Sequence, residues 1–486
     1  MTTSNVGCEK PAAFGPPPVA EGFNLLRIPL LRSFIRWRAF PYLFQALMLC
    51  VFVGLAVLAW GLHPPAGVNP KLYARSNLVT LLIWGLWWPA MVWGAVLLGR
   101  AWCMVCPLEL VSNLSERLGR RLGLRQRVLG RWIARGAIIV GLYALLQLLV
   151  AAAQLHRTPA YTAWFLVGLL ALAAITGLIW KDRAFCRGFC PVGLLLGTYG
   201  RGGMLAIRAG AADVCAGCTG RDCLKACNRT RLDGRSCPSL LNPPKLDSNR
   251  DCLVCGQCLK ACEPDNMRLL LRPWFSKSDA REPLATWPVT LFVMLVSGFV
   301  TWELCAEWKA AEKIFLAAPQ WLIAQISAGE TAAGFFEWLW ALVVAPAVVW
   351  LVLAGLVRLL GERRSVGEIL RKIALPMAVV ISFGHASKGL AKFVTWAPFL
   401  PGALRDPDGI NTAQAIAAKT LATPTTLLAP ATVSAACLVM VVVAFLFAVR
   451  ENRLAQPGVT TRWRLALPLA VMTLTFLGII AGWSQH

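Results

Sequence analysis

Residues 213–264 read DVCAGCTGRDCLKACNRTRLDGRSCPSLLNPPKLDSNRDCLVCGQCLKACEP and hold nine of the chain's 17 cysteines, between long apolar segments that carry almost none. The second half, Cys252-x2-Cys255-x2-Cys258-x3-Cys262, has the ligand spacing of a [4Fe–4S] cluster. A cubane needs four thiolates converging on one point. Two-residue gaps wrap a short loop around three irons, and the fourth thiolate leaves along a helix to ligate a neighbouring cluster. The first half stretches the pattern: Cys215-x2-Cys218-x4-Cys223, then either Cys227 or Cys237-Pro238. A Cys-Pro ending marks the crossing ligand, which assigns Cys215, Cys218, Cys223 and Cys262 to one cluster. Cys252, Cys255, Cys258 and Cys237 then hold the other, with Cys227 as the alternative to Cys237. Structural zinc prefers paired C-x2-C units without a tight third cysteine, and a disulfide framework belongs to small secreted domains.

Of the 486 residues, 57% are hydrophobic and only 15% charged, and the mean hydropathy is +0.60, which describes a membrane protein. The 21 tryptophans suit interfacial anchoring as well as packing. The net charge of +24 falls in loops between apolar spans, so it follows the positive-inside rule rather than marking a nucleic-acid binder. The Pro/Gly-rich start, MTTSNVGCEKPAAFGPPPVAEG, lacks the apolar core of a signal peptide and reads as a disordered tail in which Cys8 is a free thiol.

Nine apolar spans alternate with basic loops: residues 42–62, 78–98, 136–155, 164–180, 287–304, 338–360, 375–396, 431–449 and 465–483. Arg27, Arg32, Arg36 and Arg38 precede the first, and an arginine-rich loop from Arg100 to Arg135 follows the second. Lys181 and Arg183 open the cysteine-rich loop. This places the N-terminus and that loop on the cytoplasmic side of a bacterial-type inner membrane and the C-terminus outside. Pro376 and Gly384 mark a place where the seventh span could break. The segment between the fifth and sixth spans is weakly amphipathic and suits the membrane surface.

The first four spans repeat. The second ends in GRAWCMVCPLELVS and the fourth in DRAFCRGFCPVGLLLG, so two helical hairpins each close on a cysteine pair and a proline. Cys103 with Cys106, and Cys186 with Cys190, would together offer four thiolates at the membrane surface to a third cluster or another metal. A redox-active dithiol or simple packing are the alternatives. Proline after each pair stops the helix there.

Two helix-end Cys-Pro motifs followed by a two-cluster segment resemble the NapH/NosR-type membrane polyferredoxins over residues 41–273. That resemblance implies a quinol-linked role, passing electrons between the membrane quinone pool, the clusters and a partner redox protein. Departures are the C-x2-C-P of the first pair, where the family has C-x3-C-P, and the ending Cys262-Glu263-Pro264, which displaces the usual proline by one. The large flavin-binding domain of nitrous-oxide-type members has no counterpart, and the resemblance assigns no work to residues 286–486.

In that last stretch His385, Lys388 and Lys392 fall on one helical face of the seventh span. Ionisable groups inside a span usually mark a pathway or ligand site, here a quinone headgroup or a proton relay. Lysines snorkelling to the outer interface are the plainer account. Asp406, Asp408 and Asn411 could pair with the lysines, or simply form a turn. No C-x-x-C-H occurs, so c-type haem is not expected. His63 and His156 read as loop histidines, and Cys50, Cys305 and Cys437 as small packing residues. There is no phosphate-binding glycine loop.

The expected architecture is an all-α polytopic membrane protein of about nine transmembrane helices with a small cytoplasmic two-cluster ferredoxin-like insertion. Its segments are a tail at 1–40, a four-helix membrane domain at 41–200, the insertion at 201–285 and a second membrane domain at 286–486. Its function is electron transfer through two [4Fe–4S] clusters, with a third thiolate site at the membrane surface. Reduction of a metal ion or of a partner's thiols, or redox-driven transport, are the other classes. One assignment is directly checkable: Cys237→Ala loses about four irons and four sulfides per chain, whereas Cys227→Ala keeps both clusters, as read by iron and acid-labile sulfide analysis.

Overall fold

In lipid an apolar run satisfies its own backbone as a helix, and each of the nine apolar stretches is mostly helical. Among the described residues, six helices are long and apolar enough to cross a membrane: Leu78–Leu98, Pro159–Ile179, Trp287–Cys305, Thr331–Leu359, Pro430–Ala455 and Val459–Gly482. Tyr42–Leu58 and Ala137–Ala152 are shorter apolar helices, and Val366–Trp396 carries the His–Lys–Lys face. The computed structural model describes residues 22–276, 279, 284–326, 329–456 and 458–485; the tail with Cys8 lies outside the described residues. The chain divides into two compact units, each described by itself.

The first unit comprises Met1–Val51, Gly94–Gly136 and Leu170–Glu282. Its centre is a three-stranded antiparallel sheet of β1 (Phe23–Asn24), β2 (Leu205–Ala209) and β3 (Met267–Leu271), ordered β1-β3-β2. Leu205 stands opposite Leu271 and Ala209 opposite Met267, so the cysteine-rich segment is the long connection between two paired strands. Within the expected tail, Phe23 pairs with Leu271 across the other edge of β3. The helix Pro29–Arg36, started by a proline that needs no N–H there, sends Arg32 and Arg36 to Asp265. Leu26, Ile35 and Phe40 share one apolar core with Ile207, Leu269, Cys215, Cys252 and Cys258. Gly99 turns the chain at φ +75° as the second span ends, and Gly203 approaches it so closely that a Cβ would lie 2.3 Å from the Gly99 nitrogen. That contact seats the first cysteine pair beside the start of β2.

The second unit comprises Phe52–Trp93, Ala137–Leu169 and Pro283–His486. Val366–Trp396 runs through its middle, buried from Ile373 to Gly389 without interruption. A capping box of Ser365 and Glu368 starts it well before the apolar stretch, and Pro376 sits inside it without ending it. Small residues let neighbours approach: Gly384 meets the Phe476 ring and Gly389 meets Pro89. Tryptophan N–H groups are spent on partners in this unit, Trp350 on Ser297 Oγ at 3.0 Å and Trp483 on the Leu304 carbonyl at 3.1 Å. In Thr331–Leu359 the turn Trp340–Val344 is π-helical just ahead of Pro346, where a proline deprives the helix of a donor.

Gly298 of Trp287–Cys305 faces that turn: a Cβ there would lie 1.9 Å from the Ala341 carbonyl oxygen. Gly298→Ala therefore forces two backbones apart and lowers stability by about 1–3 kcal/mol, read as a lower thermal midpoint in detergent; an unchanged midpoint would show the packing to be looser than described.

Candidate functional site

The connection between β2 and β3 gathers its thiols into two sets. Cys215, Cys218, Cys223 and Cys262 line one cavity, together with Arg221, Asp222 and Glu263. Three N–H groups point at its sulfurs: Arg221 N donates to Cys218 Sγ (3.3 Å), Asn266 N to Cys262 Sγ (3.2 Å) and Asn266 Nδ2 to Cys215 Sγ (3.1 Å). Burial, then Cys262, Cys215 and Cys218, push the Cys223 thiol up to about 12. Such a set becomes thiolate when a cationic core stands among its members, and N–H donors to sulfur are what an iron–sulfur cluster uses to tune its potential.

The second set is Cys237, Cys252, Cys255 and Cys258. Burial raises Cys258 well above its ordinary value, and Cys237, Cys255 and Cys252 add to it. Cys252 is pushed up to about 12 by burial. Gly256, at φ +73°, provides the left-handed turn between Cys255 and the short helix Gln257–Lys260 that carries Cys258. Cys223 also acts on Cys258, so the two sets adjoin. Cys237 N donates to the Cys223 carbonyl at 3.1 Å, tying the Cys-Pro segment to the first set. Cys237 is a free thiol.

The helix-end pairs also come together. Cys106 is raised by burial and then by Cys186, Cys103 and Cys190, and Cys190 is pushed up to about 12 by burial, Cys186 and Cys103. Cys106 and Cys190 are both extended ahead of their prolines. The unequal spacing has a structural reason. Cys103 lies on the α-helical turn Trp102–Val105, whereas Phe185–Phe189 is π-helical, with Cys190 N reaching back to the Phe185 carbonyl at 2.8 Å. A π turn holds one residue more, so C-x2-C and C-x3-C deliver their thiols to one place.

Charge surrounds this third set. Glu109 Oε1 lies 3.1 Å from Arg183 Nε and 2.9 Å from Arg235 Nη2, with all three side chains at most 7% exposed. Gln45 Nε2 donates to the other oxygen at 2.7 Å and to the Met104 carbonyl at 2.9 Å. Burial alone would raise the Glu109 carboxyl, but Arg183 and Arg235 outweigh it and hold it below its ordinary 4.5. Among the described residues no three His, Cys, Asp or Glu side chains close to the spacing of a single ion. Thiolates sharing one zinc, at about 2.3 Å per bond, crowd within about 4 Å of each other; a multi-iron cluster stands its ligands further apart.

In the second unit His385, Lys388 and Lys392 are not left to snorkel. Lys388 Nζ donates to the Glu303 carbonyl at 2.8 Å and lies 2.7 Å from Glu307 Oε1 and 3.4 Å from Glu303 Oε2. It thus joins the last turn of Trp287–Cys305, whose terminal carbonyls lack helical partners. Trp88 Nε1 donates to His385 Nε2 at 3.4 Å, directly after the π-helical segment Leu81–Trp87. Lys392 sits 4.9 Å from the centre of the Trp396 ring, and Arg75 lies 5.9 Å from that ring. Glu303 and Glu307 were missed in the sequence, although Glu303 is the only acid in an otherwise apolar span. Asp406 accepts from Thr412 N at 2.7 Å and Asp408 from Ile410 N at 3.0 Å, which is turn chemistry. His156 Nε2 accepts from Arg157 Nε at 3.1 Å, and His63 Nδ1 lies 3.0 Å from the Gly61 carbonyl.

A family described as 4Fe-4S binding domain matches residues 80–125 and 161–208, the two stretches that contain the helix-end pairs. The chain is 27% identical over 201 residues to the ferredoxin-type protein NapH of Escherichia coli K12, covering 36% of this chain and 63% of that one. It is 28% identical over 186 residues to NapH of Haemophilus influenzae, covering 35% and 61%. The methylamine utilization ferredoxin-type protein MauN of Paracoccus denitrificans is 28% identical over 182 residues, covering 33% and 63%. The matched part thus spans about 61–63% of these relatives' length. No solved structure matches. The chain resembles NapH-type ferredoxin-type membrane proteins, as its cysteine motifs predicted.

Asn266 is the most economical probe of the first set, since its side chain also bonds the Ala211 N–H and carbonyl. Asn266→Ala leaves those part-buried groups and the Cys215 sulfur without their partner and costs about 1 kcal/mol, with a changed electron paramagnetic resonance signal for one cluster; loss of stability with every cluster signal intact would separate the fold from the sulfur contacts.

Proposed function

We propose that this chain, similar to NapH-type proteins, is a membrane-bound iron–sulfur electron carrier working between the quinone pool and a partner redox protein. The observation that supports this most is the gathering of twelve cysteines into three sets of four from segments far apart in sequence. Cys215, Cys218, Cys223 and Cys262 hold one [4Fe–4S] cluster, and Cys237, Cys252, Cys255 and Cys258 the other, with Cys237 and Cys262 as the crossing ligands. Cys103, Cys106, Cys186 and Cys190 hold a third thiolate-ligated group. Bound clusters supply reversible one-electron transfer. The chain itself excludes water from the sulfurs, aims N–H donors at them and fixes the sets beside one another.

Nine spans, with the N-terminus and the ferredoxin-like insertion in the cytoplasm and the C-terminus outside, fit the helices and the placement of the basic loops. Residues 286–486 then form the second membrane domain. His385, Lys388 and Lys392, with Glu303 and Glu307, supply hydrogen bonds and proton-carrying groups for a quinone headgroup. An accessory reductase for a metal ion or a partner's thiols is the second reading, favoured by the free thiols of the helix-end pairs should they bind no cluster.

The deciding experiment is anaerobic cluster reduction followed by optical bleaching. A soluble quinol reduces the clusters of the wild-type chain, and His385→Ala or Lys392→Met slows that reduction about tenfold, a loss of about 1.4 kcal/mol in barrier terms, without changing reduction by dithionite. Wild-type clusters that dithionite reduces and quinol does not would overturn the quinone link. About eight irons per chain report the two insertion clusters and about twelve report a third.

A further inference from the structure

The two cysteine repeats share more than their thiols. In each, an arginine stands three residues before the first cysteine, as Arg100-Ala101-Trp102-Cys103 and Arg183-Ala184-Phe185-Cys186. Both arginines are buried, at 8% and 4% exposure. Arg100 and Cys103 interact electrostatically, and Arg100 donates from Nη1 to the Arg250 carbonyl at 3.2 Å. Arg183 Nη2 lies 3.6 Å from Cys186 Sγ. Arg183 is in turn held by Glu109, which Arg235 shares. Arg100, Arg183 and Arg235 outnumber Glu109 and the Asp251 that acts on Arg100, which leaves positive charge in surroundings where an unbalanced charge is costly. Four thiolates around a [4Fe–4S] core in its 2+ state carry two negative charges, and three once reduced. The surplus has the sign that such a group needs.

We infer that Arg100 and Arg183 are the built-in counter-charges of an iron–sulfur cluster held by Cys103, Cys106, Cys186 and Cys190, and that they raise its reduction potential. This rests on the electron-carrier reading and goes beyond it by assigning the residues that tune one site. Reduction adds one electron and no proton to the cluster, so a fixed cation nearby stabilises the reduced form more than the oxidised one. Glu109 is a positioning residue: it aims Arg183 at Cys186 and offsets part of the positive charge. Its carboxylate, pinned by Gln45, also links the third set to Arg235, which acts on Cys255 of the second.

The test is a redox titration of the full chain, purified anaerobically, followed by electron paramagnetic resonance with iron and sulfide counted per chain. The variants are Arg100→Gln, Arg183→Gln, the two lysine replacements and Glu109→Gln. Wild-type protein holds about twelve irons. Each glutamine variant at an arginine lowers the reduced-to-oxidised ratio of the third cluster about tenfold at a fixed potential, and lysine restores most of it. Glu109→Gln moves the ratio upward, a reversal of sign that a merely structural role would not produce. The double variant Arg100→Gln/Arg183→Gln loses the third cluster, dropping from about twelve irons to about eight. Unshifted ratios in both single variants overturn the inference, as does equal downward movement in Glu109→Gln. Should the glutamine variants not fold, the lysine and Glu109 variants decide by the same signs. Wild-type protein with about eight irons and four maleimide-reactive helix-end thiols overturns the inference while leaving the two insertion clusters standing.

Discussion

Thiols crowded away from water resist ionisation, and each neighbour makes the next harder to ionise. Most of the first unit is arranged around that constraint. Its three cysteine sets are costly places to put negative charge unless a cationic core lies among them. The sheet brings Cys215 and Cys262 to one end of the insertion. The helix ends turn on prolines so that Cys106 and Cys190 leave their helices at matching points. The ions nearby are themselves paired, Glu109 between Arg183 and Arg235. Apolar packing in this unit includes cysteines among its core residues.

Much of this was legible in the sequence because thiol spacing is a geometric statement. Cys237 was chosen from the proline beside it, and in the structure Cys255 acts on Cys237 and Cys237 on Cys258. The apolar stretches were legible because hydrocarbon admits few backbone solutions. The partners of the His–Lys–Lys face were not. Glu303 and Glu307 reach Lys388 from another helix more than eighty residues earlier, and periodicity within one helix carries no information about which neighbour it meets. The unequal cysteine spacings looked like a departure from pattern until the π-helical turn at Phe185–Phe189 showed where the extra residue goes. Strand β1 was hidden for another reason: two residues, Phe23 and Asn24, carry no period at all.

The second unit uses a different logic. Its central helix is buried along most of its length, and small side chains rather than large ones give it close neighbours. Where it does carry charge, the charge is paired at once, with Lys388 meeting two carboxylates and a helix-terminal carbonyl. A buried ammonium so fully occupied stitches Val366–Trp396 to Trp287–Cys305, while Lys392, resting on an indole ring, is held by a softer contact. Rigid and adjustable groups therefore sit one helical turn apart on the same face.

The sheet of the first unit draws its strands from Phe23–Asn24, Leu205–Ala209 and Met267–Leu271. A ribosome must therefore deliver β3 before the earliest strand has a partner, by which time both cysteine-bearing hairpins have already been made. The helix-end thiols are complete by Cys190, whereas the insertion's thiols are complete only at Cys262. Assembly thus has a built-in order: helix-end cysteines first, closure of the sheet last, with the N-terminal segment Phe23 to Arg36 joining β3 as the final step.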